Sequence, residues 1–264
     1  MYDTTYHRAA SVADAASTAK GADDAAYLGG GQTLLPTMKN RLASPSDLVD
    51  LSGIAEMKGI TADASSVTIG AATTHAEVAG SSDVRAAIPA LAALAGAIGD
   101  PAVRAKGTLG GSVANNDPAA DYPAACLGLG ATIVTNTREV AADDFFDGLF
   151  ETVLEEDEII TAIRFPVPAR AAYAKFPNPA SRYAMAGVMV AQTDGGVRVA
   201  VTGAGNDGVF RHGAMEAVLG GNWSGDALAG IATNAADMLS DMHGSSEYRA
   251  HLVGVMAKRA VDSA

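Results

Sequence analysis

Small apolar and polar residues alternate at helical spacing from Ser11 to Lys20, behind a serine placed to cap the first turn, and this predicts a short helix. Ala25-Ala26-Tyr27-Leu28 is a compact apolar run that ends on glycine and reads as a strand feeding a loop. The segment 34–41 can turn helical after Pro36, and Asp47-Leu48-Val49-Asp50-Leu51 reads as another strand. Strand, glycine loop, short helix and strand together make a small α/β unit. Further on, Val67 to Ala71 predicts a strand, and Thr74 with Glu77 a capping box that opens a helix. The segment 88–98 predicts a helix too apolar to be exposed, broken by Gly99-Asp100-Pro101. A short buried helix over 124–129 and a hairpin of 131–135 with 138–140 follow, then a strand over 158–165 that Pro166 and Pro168 stop. Past Arg170, Thr193-Asp194-Gly195-Gly196 sits between two apolar runs, 185–192 and 197–202, which is a hairpin signal. The last sixty or so residues read as Ala-rich helices.

Two glycine runs stand out against this pattern. Gly107-Thr108-Leu109-Gly110-Gly111-Ser112 opens a stretch, read as a loop, that continues through Asn115, Asp117 and Asp121. Gly29-Gly30-Gly31-Gln32-Thr33 lies far upstream. Small side chains, hydroxyls and bare backbone N–H groups suit close approach to a phosphate or a flat ring. Either run alone serves a turn as readily as a ligand. Together they favour binding, with the two runs facing each other across one dinucleotide.

Composition narrows the class. The chain of 264 residues is 48% hydrophobic, 18% charged and only 5% aromatic, so it is globular and packs largely through aliphatic side chains. A net charge of −12 with no basic face argues against nucleic-acid binding. No apolar run reaches the roughly 18 residues of a membrane span, so an integral membrane protein is not expected. The one cysteine, Cys126, permits no internal disulfide, and an iron–sulfur cluster takes about four, so a cluster must lie on another chain. A cytoplasmic location follows, with peripheral association through partners left open.

The remaining candidates carry bland readings. Gly203-Ala204-Gly205-Asn206-Asp207-Gly208 matches a dinucleotide fingerprint, but no second parallel strand with an acidic end follows, so a turn is expected. The histidines are scattered without metal-ligand spacing. His75 reads as a neighbour of a helix cap, and Cys126 as an inert core thiol. Ser112 lacks the context of a hydrolase nucleophile. Lys175 reads as a solvated strand residue, and Asp121 as the cap of the helix after Pro123.

The two runs also carry a family likeness. Gly29 to Pro36 resembles the A-G-G-x-S-L-x-P loop of the flavoprotein subunit of molybdenum hydroxylases, and Arg104 to Ser112 resembles their R-x-x-G-T-x-G-G-[NS] loop. Asp117-Pro118-Ala119-Ala120-Asp121 resembles the D-P-x-x-[DE] continuation, and Lys175-Phe176, Ser181 to Ala184 and Ala214 to Leu219 resemble the tail. Gly29 for alanine, Thr33 for serine and Ser112 for asparagine depart from the pattern. Within the family the chain most resembles the medium subunit of aerobic carbon monoxide dehydrogenase and of related xanthine, aldehyde or nicotine dehydrogenases.

The likeness implies an α+β, PCMH-type (vanillyl-alcohol-oxidase-like) FAD-binding fold of two subdomains, 1–53 and 54–167. A C-terminal domain over 168–264, with a small antiparallel sheet and helices, would follow. It implies FAD held by Gly29 to Thr33 with flanking Leu28 and Leu34, and by Thr108, Gly110, Gly111 and Ser112 from the other side. Asn115, Asp117 and Asp121 would continue the site, Ile98 and Leu154 would touch apolar parts, and Lys175 would lie near the isoalloxazine. It implies no catalytic side chain here. The molybdenum cofactor would sit on a large subunit and [2Fe–2S] clusters on a small one, in a dimer of heterotrimers passing electrons through FAD to an external acceptor. A stand-alone flavin NAD(P)H oxidoreductase and a flavin-free structural subunit are the alternatives.

Overall fold

A computed structural model describes residues 1–264. Its first layer holds β1 (Thr5–Arg8), α1 (Val12–Lys20), β2 (Ala25–Leu28), α2 (Leu34–Lys39) and β3 (Asp47–Asp50). The strands are parallel in the order β1-β3-β2, and α1 and α2 make the crossovers that parallel neighbours require. Ser11 caps α1, accepting from the Asp14 N–H at 3.1 Å. Strand β1 was not visible in the pattern, because its alternation of Thr, Tyr, His and Arg offers no apolar face. Pro36 lies within the first turn of α2, where its missing N–H does no harm, so the helix starts before it rather than after.

The second layer begins with β4 (Ile60–Ala62) and β5 (Ser66–Gly70). Six short helices follow: α3 (His75–Gly80), α4 (Ser82–Ala87), α5 (Pro89–Gly96), α6 (Pro101–Arg104), α7 (Leu109–Asn115) and α8 (Tyr122–Leu129). Strands β6 (Thr132–Thr135), β7 (Glu139–Ala141) and β8 (Ile160–Pro166) complete an antiparallel sheet ordered β4-β5-β8-β6-β7. The predicted capping box opens α3 as read: the Thr74 hydroxyl accepts from the Glu77 N–H, and the Glu77 carboxylate accepts from the Thr74 N–H at 2.8 Å.

The third layer is an antiparallel sheet, β12-β11-β10-β9, of β9 (Arg170–Pro177), β10 (Ala184–Thr193), β11 (Gly196–Thr202) and β12 (Phe210–Arg211). Helices α9 (Gly213–Gly221) and α10 (Ser246–Ser263) cover it. The tail is less helical than expected: residues 222–245 hold only two single-turn 3-10 segments. The expected turn at 203–208 links β11 to β12, and that pair is antiparallel, which excludes a Rossmann unit. Alternation along β10 joins the layers. Met189 and Ala191 enter the core shared with the second layer, while Val188 and Val190 enter the core under α10. No helix is long and apolar enough to cross a membrane.

Candidate functional site

The first glycine run leaves β2 at the carboxyl end of the parallel sheet, the usual ligand edge of such sheets. Gly30 lies directly on the second run. A Cβ there would fall 2.6 Å from Gly107 Cα and closer still to the Lys106 carbonyl oxygen. One at Gly29 would meet Thr108 Oγ1 at 2.9 Å. The two runs therefore converge, as the sequence suggested, and only glycine permits the contact at position 30. The backbone N–H groups of residues 29–33 find no acceptor in the protein. Gly31, at φ +69°, turns the chain into α2. Successive free N–H groups in such a turn form a concave cradle for an anion.

The second run is not a loop. Residues 109–115 form α7, and Thr108 is its N-cap, its hydroxyl oxygen accepting from the Gly111 N–H at 3.2 Å. The neighbouring donors are used as well. Leu109 N–H donates to Thr73 O at 3.0 Å, Gly110 N–H to Ala71 O at 2.8 Å and Ser112 N–H to Thr108 O at 3.1 Å. Glycine at 110 serves packing, since a Cβ would lie 2.5 Å from that of Ala71. This run thus brings hydroxyls, the one free amide of Thr108 and a close-packed wall, and the row of free amides belongs to the first.

Between them lies a cavity of about 440 Å³. Leu28, Gly29, Gly30, Gly31, Gln32, Thr33 and Leu34 line it, with Ile98, Thr108, Gly110, Gly111, Ser112, Asn115, Asp117, Asp121 and Leu154. Lys175 is the exception among the expected residues. It is buried rather than solvated, and its ammonium donates to Ala97 O and to Asp121 Oδ2, each at 3.0 Å, so it meets the cavity only through Asp121. Asp121 is not a helix cap: its carboxylate makes no bond to the α8 backbone and instead also accepts from the Tyr173 hydroxyl at 2.5 Å. Burial pushes the Asp121 carboxyl above its usual range, opposed by the Lys175 charge and the Tyr173 hydrogen bond. Asp117 is raised by burial too, and its Oδ1 accepts from the Ala119 N–H at 2.9 Å.

Other residues, not expected in the site from the sequence, also line the cavity. Glu158 is buried beside Leu154 and accepts from Arg138 Nε (2.9 Å) and Nη2 (2.8 Å), Thr135 Oγ1 (2.7 Å), Thr137 Oγ1 (3.0 Å) and the Glu155 N–H (3.0 Å). These bonds, led by Arg138, hold its carboxyl down at about 2. The network fixes the strip 154–160 along one wall. His75, Ser181, Arg182 and Tyr183 also line the cavity. The last three lie in a segment that the family likeness had marked.

A family model described as the FAD binding domain in molybdopterin dehydrogenase matches residues 2–168, and one described as the CO dehydrogenase flavoprotein C-terminal domain matches residues 171–264. The chain belongs to the FAD-binding medium-subunit family of the molybdenum hydroxylases. It is 38% identical over 275 residues to the carbon monoxide dehydrogenase medium chain of Afipia carboxidovorans, covering 98% of this chain and 96% of that one. The corresponding chain of Hydrogenophaga pseudoflava is 35% identical, with the same coverage. A crystal structure of Cu,Mo-CO dehydrogenase in its cyanide-inactivated form superposes with a TM-score of 0.91 at 36% identity, covering 99% of this chain and 98% of that one.

The residues present fit the cofactor of a medium subunit. FAD carries a diphosphate, and residues 29–33 supply unclaimed donors with no side chain at 29–31 to obstruct it. The cavity volume falls in the range of roughly 300–1,000 Å³ typical of ligand sites, and its walls are largely apolar.

Proposed function

We propose that this medium subunit holds FAD in the cavity between the two glycine runs and relays electrons. They would come from [2Fe–2S] clusters on a small partner subunit and go to an external acceptor. A large subunit would carry the molybdenum cofactor and oxidise the organic substrate, in a cytoplasmic dimer of heterotrimers. When bound, FAD supplies a carrier able to exchange electrons singly or in pairs. The protein's part is placement. The amides of residues 29–33 grip the diphosphate, and Thr108 and Ser112 offer hydroxyls from the facing wall. Ile98 and Leu154 exclude water from apolar parts. Asp121 keeps acceptor capacity beyond its two protein donors, since a carboxylate has about four lone-pair sites.

The observation that carries this reading is the row of unpaired amides at residues 29–33, opposite a wall in which the amides of residues 109–112 are spent and only that of Thr108 is free. The test is the visible spectrum of the complex obtained by co-expressing this chain with its neighbouring subunits. One acid-releasable FAD per copy of this chain is expected. An assembled complex without a flavin band would refute it. NAD(P)H oxidation by the chain alone would instead mark a self-sufficient reductase.

A further inference from the structure

His75 is the first residue of α3 and only 5% exposed, yet it lines the cavity. Neither ring nitrogen has a protein partner: Nδ1 is fully buried without one, and the Nε2 edge lies over Gly107, the residue on which Gly30 packs. Its ring sits 5.4 Å from that of Tyr122, whose buried hydroxyl is also unpartnered. A buried imidazole left without bonds is costly, which makes two orphans side by side a feature to explain.

We infer that His75 is a further cofactor-positioning residue, donating a hydrogen bond from Nε2–H to an oxygen of the bound dinucleotide. The inference rests on the FAD reading of the cavity. A neutral imidazole has one donor and one acceptor nitrogen. Tyr122 is the polar neighbour on the buried side, and its hydroxyl keeps its proton because burial raises its pKa. The two side chains make no bond to each other, so Nδ1 is sealed in on the Tyr122 side while Nε2 is not among the fully buried unpartnered atoms, which leaves Nε2 as the nitrogen that can serve as the donor to a ligand. Burial, aided by the Arg104 guanidinium, pushes the His75 pKa down to about 4, so the ring is neutral at physiological pH.

Two conservative variants separate this role from packing. In the co-expressed complex, His75→Gln puts an amide at the Nε2 position, and His75→Asn reaches only the Nδ1 position. His75→Gln is expected to keep FAD affinity within about threefold, and His75→Asn to weaken it about 10- to 100-fold, the range for a hydrogen bond to a charged group. The visible circular dichroism of the bound flavin should change in the Asn variant alone. Equal retention in the two variants, or equal loss, would overturn the inference while leaving the FAD site standing. A wild-type complex without FAD would overturn the site itself.

Discussion

Gly30→Ala is the sharpest single perturbation of the site. The added Cβ meets backbone: 2.6 Å to Gly107 Cα, with the Lys106 carbonyl nearer still. Ordinary contact begins near 3.4 Å, and the Lys106 carbonyl oxygen is the closest atom, so the two runs must separate by more than about 1 Å. Neither neighbour can rotate away, as a side chain would. Overpacking of this kind costs about 1–3 kcal/mol of stability. The larger effect falls on the amides of residues 29–33, which move with Gly30. Each bond from such an amide to a charged oxygen is worth about 1.5–3 kcal/mol, so misplacing two of them weakens FAD binding by at least about 100-fold.

The assay is FAD dissociation from the co-expressed complex, followed by flavin fluorescence, with the melting temperature of the flavin-free protein recorded beside it. Gly29→Ala is the graded comparison. Its Cβ meets only the Thr108 hydroxyl at 2.9 Å, which can turn aside at the expense of the α7 cap, about 1 kcal/mol. Gly21→Ala, with its nearest contact at 3.6 Å, is the blank. The expected order of FAD loss is Gly30→Ala, then Gly29→Ala, then Gly21→Ala near wild type. Gly30→Ala indistinguishable from Gly29→Ala would refute the claim that backbone contact between the runs sets the cradle.

Other outcomes follow from the same geometry. Glu158 has its pKa held at about 2 in the fold, below the ordinary glutamate value of 4.5, so its stabilisation is full above that ordinary value and lost as pH falls through about 2. Glu158→Gln should therefore lower stability by up to about 3 kcal/mol at neutral pH, with the gap in chemical denaturation closing between roughly pH 5 and pH 2. Lys175→Met leaves Asp121 buried without its counter-ion and should destabilise by about 3–5 kcal/mol, while adding Asp121→Asn should recover part of it in a double-mutant cycle. Cys126 is fully buried with its pKa raised by burial, so a thiol reagent should label it only after unfolding; labelling of the native chain would contradict the core placement.

What the sequence could reveal divides along physical lines. Local signals were sound: the Ser11 cap, the Thr74–Glu77 box and the 193–196 hairpin depend on neighbours in the chain, and each forms as read. The convergence of the two glycine runs was also readable. What escaped was set by tertiary partners. The side chain of Asp121, at the start of a helix, reads as a cap until Lys175 and Tyr173 arrive from β9, some fifty residues on. Lys175 reads as solvated because nothing nearby in sequence could neutralise it. The Glu158 network gathers donors from 135–138 and 155, and no spacing rule connects them.

The reading of Thr108 to Ser112 as part of a loop with bare N–H groups differs from the structure for a more instructive reason. Glycine serves both bare amides and close packing, and composition does not say which. Here the hydrogen bonds decide. The amides of residues 109–112 end on Thr73, Ala71 and Thr108, while those of residues 29–33 end on nothing in the protein. The two signatures are therefore unequal partners. The second is a rigid wedge, anchored through Ala71 and capped by its own threonine, whose small residues let the first approach. The first carries the row of free donors, and it keeps its shape only while Gly107 gives Gly30 a bare backbone to rest on. Substitutions in the wedge, such as Gly110→Val, should consequently strike the fold before they strike the cofactor, because the new side chain enters the Ala71 contact rather than the cavity.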